Sequence, residues 1–334
     1  MEPEEKHLGS EPLGRFSVAR TSDLDETTDA LQATFLPLHL QLRERTDTRG
    51  LDFGLNAVRI GRATVSYAWL SRSVQIDTAE AENFHVNLPL SGGTISRSGR
   101  LECVISTSAR AAVFMPGLPA DIEWRAGCGQ FCLMIPPHVL QRELEAMLDQ
   151  PLVKPIKFAP AMDLTTDGGR AWVDTLRLIG RQGGYAQGLL DHPLAAANLE
   201  RILVDGLLLA QPHNYIDALT GPRRPAPPPA VRNAIELIRS HPEEPWTTTA
   251  LARRVAVSTR SLQDGFARSL GVPPSQYLRA VRLTQAREEL RSADPHTKTV
   301  SQVAARWGFV SFGRFAAAYH QRFGERPSET LRRS

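Results

Sequence analysis

Cysteine is scarce in this chain: three in 334 residues, at Cys103, Cys128 and Cys132. So few, and odd in number, they exclude a disulfide framework and fit a reducing cytoplasm. No apolar run approaches the roughly 20 residues that span a bilayer, so no membrane segment is expected. The start, Met1-Glu2-Pro3-Glu4-Glu5-Lys6, lacks the basic and apolar stretches of a signal peptide. The nine histidines are scattered, and His85 has no histidine two residues away. Cys128-Gly129-Gln130-Phe131-Cys132 has no second ligand pair nearby, as a structural zinc site would need. A buried thiol and a turn residue account for that pair. The sequence also has no glycine-rich phosphate loop, nucleophile elbow or paired acid–base motif. The expectation is a protein with no catalytic residues, no metal ligands and no cofactor.

What is present is ordinary in amount and uneven in place. Apolar residues make up 42% and charged residues 22%, enough for two soluble domains with separate cores. From Pro228 to Ser334 there are 17 Lys and Arg against 9 Asp and Glu, a net +8. The remaining 22 basic and 27 acidic residues leave −5 for the rest of the chain. Basic charge gathered at one end is the footprint of a nucleic-acid-binding module, though an arginine-rich solvated surface looks the same by charge alone.

Residues 1–50 are polar and weakly periodic, an arm with one short helix. From Val58 to Ile135 the pattern is one of short strands. Val65-Ser66-Tyr67-Ala68-Trp69, Phe84-His85-Val86-Asn87-Leu88 and Ile122-Glu123-Trp124 alternate, and Ser91-Gly92-Gly93 and Ser98-Gly99 supply hairpin turns. A small β-barrel or sandwich is expected within a domain covering 51–220, followed by helices from Pro137. Leu199, Ile202, Leu203, Leu207 and Ala210 form an apolar helical stripe. Part of it packs on its own domain, and the remainder, with Leu203 and Leu207, is the candidate homodimer surface. The proline-rich run at 221–230 reads as a semi-rigid spacer. Residues 231–332 then form an all-α domain, giving an α+β chain.

That last domain contains one plan twice, at 249–270 and 299–322. Leu251, Ala252 and Val255 form the inner face of a short helix, and Ala256-Val257 makes a turn. Ser258 caps a second helix whose Leu262, Phe266 and Leu270 point inward. Arg260, Gln263, Asp264 and Ala267 fall on the opposite face, where arginine suits guanine, glutamine adenine and aspartate the cytosine amino group. In the repeat Thr299 caps, Val300, Val303 and Ala304 face inward, and Gly308 ends the first helix. Ser311 caps the next, Phe315 and Tyr319 face the core, and Phe312, Gly313, Arg314 and Ala317 remain for DNA. Phe312 fits a thymine methyl contact and a core position equally well. Gly265 fits close helix packing. Pro274 to Arg291 reads as one long helix fixing the two units at a set spacing. Two helix-turn-helix units joined in this way imply a double-stranded DNA partner read by sequence.

The pattern resembles the DNA-binding domain of the AraC/XylS family of bacterial transcription regulators. The residues carrying the likeness include Leu251-Ala252, Ser258, Leu262, Phe266, Gly271-Val272-Pro273-Pro274, Arg282-Leu283, Trp307-Gly308-Phe309, Ser311, Phe323-Gly324 and Pro327-Ser328. Asp264 departs from the basic or polar residue often found there. The likeness implies that Ser311, His320 and Arg322 lie near the phosphate backbone, with Ser258 and Arg268 in the same role; a solvated helix face also accounts for His320 and Arg322. A looser likeness over Phe84 to Asn87, Val113 to Gly117 and the Leu199 to Asn214 helix implies a cupin-like effector domain. It implies further a small-molecule effector, dimerisation, RNA polymerase as partner and activation of a catabolic operon. Trp69, Phe84, His85 and Trp124 are candidate effector contacts, and a filled core predicts the same composition. The alternatives are a repressor, a cupin-type metalloenzyme fused to a DNA-binding domain, and an architectural DNA binder without an effector.

Overall fold

The computed structural model describes residues 11–43, 51–221 and 227–332. They divide into two compact units. One comprises residues up to Glu143 together with Ile156–Ile216, the other Leu144–Pro155 together with Asp217 onward. Residues 222–226 of the expected spacer at 221–230 lie outside the described residues, and Pro229 already begins a helix.

The first unit holds two antiparallel sheets. The larger orders its strands β1 (Ser17–Thr21), β3 (Phe53–Ile60), β4 (Ala63–Leu70), β11 (Gly129–Ile135), β6 (Phe84–Ser91), β9 (Arg110–Phe114) and β12 (Ala161–Asp163). The smaller orders β2 (Leu38–Leu42), β5 (Val74–Thr78), β10 (Ala120–Trp124), β7 (Thr94–Ser98) and β8 (Val104–Ser106). One apolar core joins them, with Leu55, Ala68, Phe114 and Cys132 from the larger sheet and Leu40, Ile76, Ile122 and Trp124 from the smaller. The unit is therefore sheet-rich, as the strand pattern anticipates, and cupin-like, as the family likeness implies. Residues expected as an arm supply strands β1 and β2 and helix α1 (Leu24–Thr34), whose Leu31 enters the same core. The Asp23 carboxylate caps α1 by accepting from the backbone NH groups of Asp25 and Glu26.

Helix α2 (Pro137–Leu148) follows the last long strand, and α3 (Asp167–Arg181) and α4 (Pro193–Ala210) pack on each other. The Trp172 indole donates to the Leu203 carbonyl at 2.9 Å. A Cβ at Gly206 would come within 2.9 Å of that ring, so the small residue permits the close crossing. Glu200 is buried because its carboxylate accepts from the NH groups of Arg62 and Ala63, at 2.6 and 2.9 Å, where the β3–β4 hairpin turns at Gly61 with φ of 57°. Leu199, Leu203 and Leu207 are spent in this packing, at 5%, 0% and 0% exposure. The exposed apolar residues of α4 are instead Leu194, Ile202 and Leu209.

Apart from the short α5 (Ile216–Thr220), the second unit contains α6 (Pro229–Ser240), α7 (Thr248–Arg254), α8 (Thr259–Leu270), α9 (Pro274–Ser292), α10 (Val300–Arg306), α11 (Phe312–Phe323) and α12 (Pro327–Arg332). Its two cores both draw on α9. One holds Leu262, Phe266, Tyr277 and Val281, the other Leu283, Ala286, Leu290, Phe315 and Tyr319. No helix among the described residues is long and apolar enough to cross a membrane.

Candidate nucleic-acid interface and effector cavity

Each repeat is a short helix, a turn and a capped second helix. Thr247 accepts from the Ala250 NH at 3.0 Å and Thr299 from the Gln302 NH at 3.3 Å, fixing the starts of α7 and α10. Ser258 accepts from the Ser261 NH at 3.0 Å and Ser311 from the Arg314 NH at 3.4 Å, fixing α8 and α11. The turns match as well: Val257 NH donates to the Ala252 carbonyl at 3.0 Å and Phe309 NH to the Ala304 carbonyl at 2.9 Å. Both turns pass through a left-handed residue, Ala256 at φ of 57° and Gly308 at 75°. The second turn is longer by one residue, and Val310 there is 97% exposed.

The inward faces close on their cores, leaving the opposite faces open. Leu262, Gly265 and Phe266 are buried on α8, and a Cβ at Gly265 would meet Val231 of α6 at 2.6 Å, so close packing explains that glycine. Arg260, Gln263, Asp264 and Ala267 are all exposed. The Arg260 side chain is 92% exposed, with Asp264 3.9 Å away on the next turn. On α11, Phe312, Gly313, Arg314 and Ala317 are exposed while Phe315 and Tyr319 are buried. Phe312 thus stands outside the core. Arg268 is exposed and folds back on its own helix, donating to the Asp264 carbonyl at 3.3 Å, and His320 is exposed.

Arg322 is placed differently from a phosphate contact. Its side chain is 9% exposed, and its guanidinium binds the Glu145 carboxylate at 2.5 Å, the Leu152 carbonyl and the Thr284 hydroxyl. A buried, paired guanidinium is not available to a phosphate, so it is removed from the set of phosphate candidates. Two of its partners, Glu145 and Leu152, lie in residues 144–155, which also supply Asp149 to Arg239 and Val153 to the first helical core. Sequence reasoning missed this segment.

Helix α9 is tied to both repeats. Arg282 donates to the Pro242 and Glu244 carbonyls at 2.7 and 2.6 Å, beside the first. Glu289 accepts from Lys298, the Trp307 indole and Arg306, and Arg287 pairs with Glu325 at 2.9 Å, securing the second. The connector therefore fixes the two recognition helices with respect to each other.

In the first unit a cavity of about 60 Å³ lies between the two sheets and beside α1. Of the four candidate effector contacts, His85 and Trp124 line it, and Trp69 and Phe84 do not. The reason is strand periodicity: Ala68 and Leu70 take the inner face of β4, and Phe84 stacks edge-on to Phe158 at 5.5 Å on the other face of β6 from His85. The lining that sequence reasoning missed includes Leu31, Phe35 and Leu38 from the supposed arm, and Asn87. Cys128 and Cys132 are both buried; burial pushes the Cys128 thiol up to about 11 and Cys132 higher still, so both are protonated at neutral pH. Among the described residues no three His, Cys, Asp or Glu side chains are grouped as metal ligands.

Residues 27–209 match an AraC-binding-like domain, and residues 251–333 match a helix-turn-helix domain. The chain is 35% identical over 316 residues to a probable thc operon regulatory protein of Rhodococcus erythropolis, covering 93% of this chain and 94% of that one. It is 25% identical over 252 residues to a XylDLEGF operon transcriptional activator of Pseudomonas putida, covering 75% and 74%. Among solved structures, a probable AraC family regulator from Rhodopseudomonas palustris is 38% identical with a TM-score of 0.29, over 31% of this chain and 95% of that one. The AraC-like transcriptional activator CuxR is 14% identical with a TM-score of 0.44, over 81% and 96%. With an AraC-binding-like domain and a helix-turn-helix domain both matched, and a relative aligned along nearly its whole length, the chain belongs to the AraC/XylS family of transcription regulators.

Proposed function

We propose that this regulator is an effector-responsive activator of a catabolic operon, working in the cytoplasm as a homodimer on double-stranded DNA and acting on RNA polymerase. The observation that carries the proposal is the pairing of two capped recognition helices, each with an exposed arginine, on one connector. Bases would be read by Arg260, Gln263 and Asp264 in the first repeat and by Phe312 and Arg314 in the second. Ser258, Arg268, Ser311 and His320 remain phosphate candidates. The cavity between the sheets supplies a place for the effector, and two relatives are named as an operon regulator and an operon activator.

The test is a genome-wide map of bound sites combined with transcripts from a strain lacking the gene. Activation predicts that transcripts beside bound sites fall in that strain; transcripts that rise instead make the protein a repressor. The dimer surface we propose centres on the exposed Ile202 and Leu209 of α4, since Leu203 and Leu207 are committed to the unit's own core. Ile202→Glu therefore leaves the fold intact and weakens self-association in sedimentation. A folded variant that is as dimeric as wild type places the interface elsewhere.

A further inference from the structure

The cavity of the first unit has one-sided chemistry. Its walls are apolar, with Leu31, Phe35, Ile76, Phe114, Ile122 and Trp124 among them, and among the described residues its lining contains no Lys, Arg, Asp or Glu. Most of its polar groups are already spent. The Trp124 indole donates to the Cys128 carbonyl at 2.9 Å. The Thr78 hydroxyl donates to the Ala79 carbonyl and accepts from the Ala120 NH, both at 2.9 Å. The Cys132 thiol is kept protonated by its burial.

His85 and Asn87 are not spent. They stand two residues apart on β6, so both project from the same face, and both line the cavity. Each is only 8% exposed, and neither side chain has a hydrogen-bond partner among the described residues. Burial pulls the His85 pKa down to about 4, so at neutral pH its ring offers one donor and one acceptor. An asparagine amide offers the same two functions. Neither residue is among those with fully buried polar atoms left without a partner, so their free ends face the cavity space, where a ligand's polar group can take the place of water.

We propose that this cavity takes a small, uncharged, largely apolar ligand bearing one amide-like or carbonyl-like group, which His85 and Asn87 hold, and that it rejects carboxylates. The proposal rests on the effector-responsive reading above and narrows the effector to a chemical class. A carboxylate would surrender its hydration on entry and meet no cation. A plain hydrocarbon would fit the walls and leave His85 and Asn87 unsatisfied. The cavity's 60 Å³ favours a ligand of a few heavy atoms.

Three probes of similar size test this: butyramide, butyrate and dissolved pentane, titrated into the full chain at pH 7 and followed by NMR of the Trp124 indole and the His85 ring. Butyramide is expected to bind at least about tenfold more tightly than either of the others. In the variant carrying His85→Phe and Asn87→Leu, butyramide should fall to the level of pentane, and retained pentane binding shows that the cavity is intact. Asn87→Leu alone, expected to narrow the same gap, carries the comparison where the double variant does not fold. Butyrate binding as tightly as butyramide overturns the class and leaves the effector reading standing. A butyramide preference that survives both variants overturns the assignment to His85 and Asn87. Binding of none of the three overturns the class and size assigned here; the effector reading falls with it only if a wider small-molecule screen also leaves both reporter signals unmoved.

Discussion

At the scale of single residues, the DNA face is made by what helix packing leaves over. With Leu262 and Phe266 buried, the helical period puts Arg260 and Gln263 in solvent, and Phe315 and Tyr319 do the same for Phe312 and Arg314. Arg260→Ala and Arg314→Ala should each cost about 1–3 kcal/mol on a selected site and distinctly less on random duplex, measured by equilibrium binding. Equal losses on both duplexes assign the arginine to the phosphate backbone. These helical positions were legible because only one face of α8 or α11 can be apolar and buried. The strands of the first unit were less so. Nearly all of β6 is buried on both faces, so apolar content could not tell which of Phe84 and His85 meets the cavity. Alternation shows that two neighbours differ in direction; it does not show which direction holds empty space. The same ambiguity makes Trp69 a candidate contact, and Asn87, a polar residue on a buried strand, gives no periodic signal.

At the scale of elements, the duplicated motif was readable because its caps, turns and apolar spacings are local. The extra residue at Val310 is local too, and it distinguishes two repeats whose turns both pass through a left-handed residue. The contribution of residues 144–155 was not readable. Arg322 and Glu145 are 177 residues apart in sequence, and no local pattern connects them. A charge on the last turns of α11 reads as solvated or DNA-facing until its partner is placed. Glu145 also accepts from the Leu152 NH at 2.7 Å, so one carboxylate holds both its own loop and the end of α11. Glu145→Ala should therefore destabilise the helical unit by about 2 kcal/mol, because the Arg322 charge stays buried with its carboxylate gone. Denaturant unfolding of the full chain reads the loss, and Glu145→Gln should recover part of it. Unchanged stability in Glu145→Ala would show that the pair contributes nothing net.

At the scale of the whole molecule, the charge asymmetry and the fold agree. The +8 of the last 107 residues sits on the unit that carries both recognition helices, and the sheet-rich unit with its uncharged cavity has the opposite balance. Two repeats fixed to α9 should read two blocks of bases, with affinity that falls log-linearly with salt as counterions are released. Selection of bound duplexes from a random library by the full chain tests this most directly. The account predicts an enriched site with two separated blocks about one helical turn, or roughly 10 base pairs, apart. A library that emerges without any enriched sequence, or with a single short block, would contradict it.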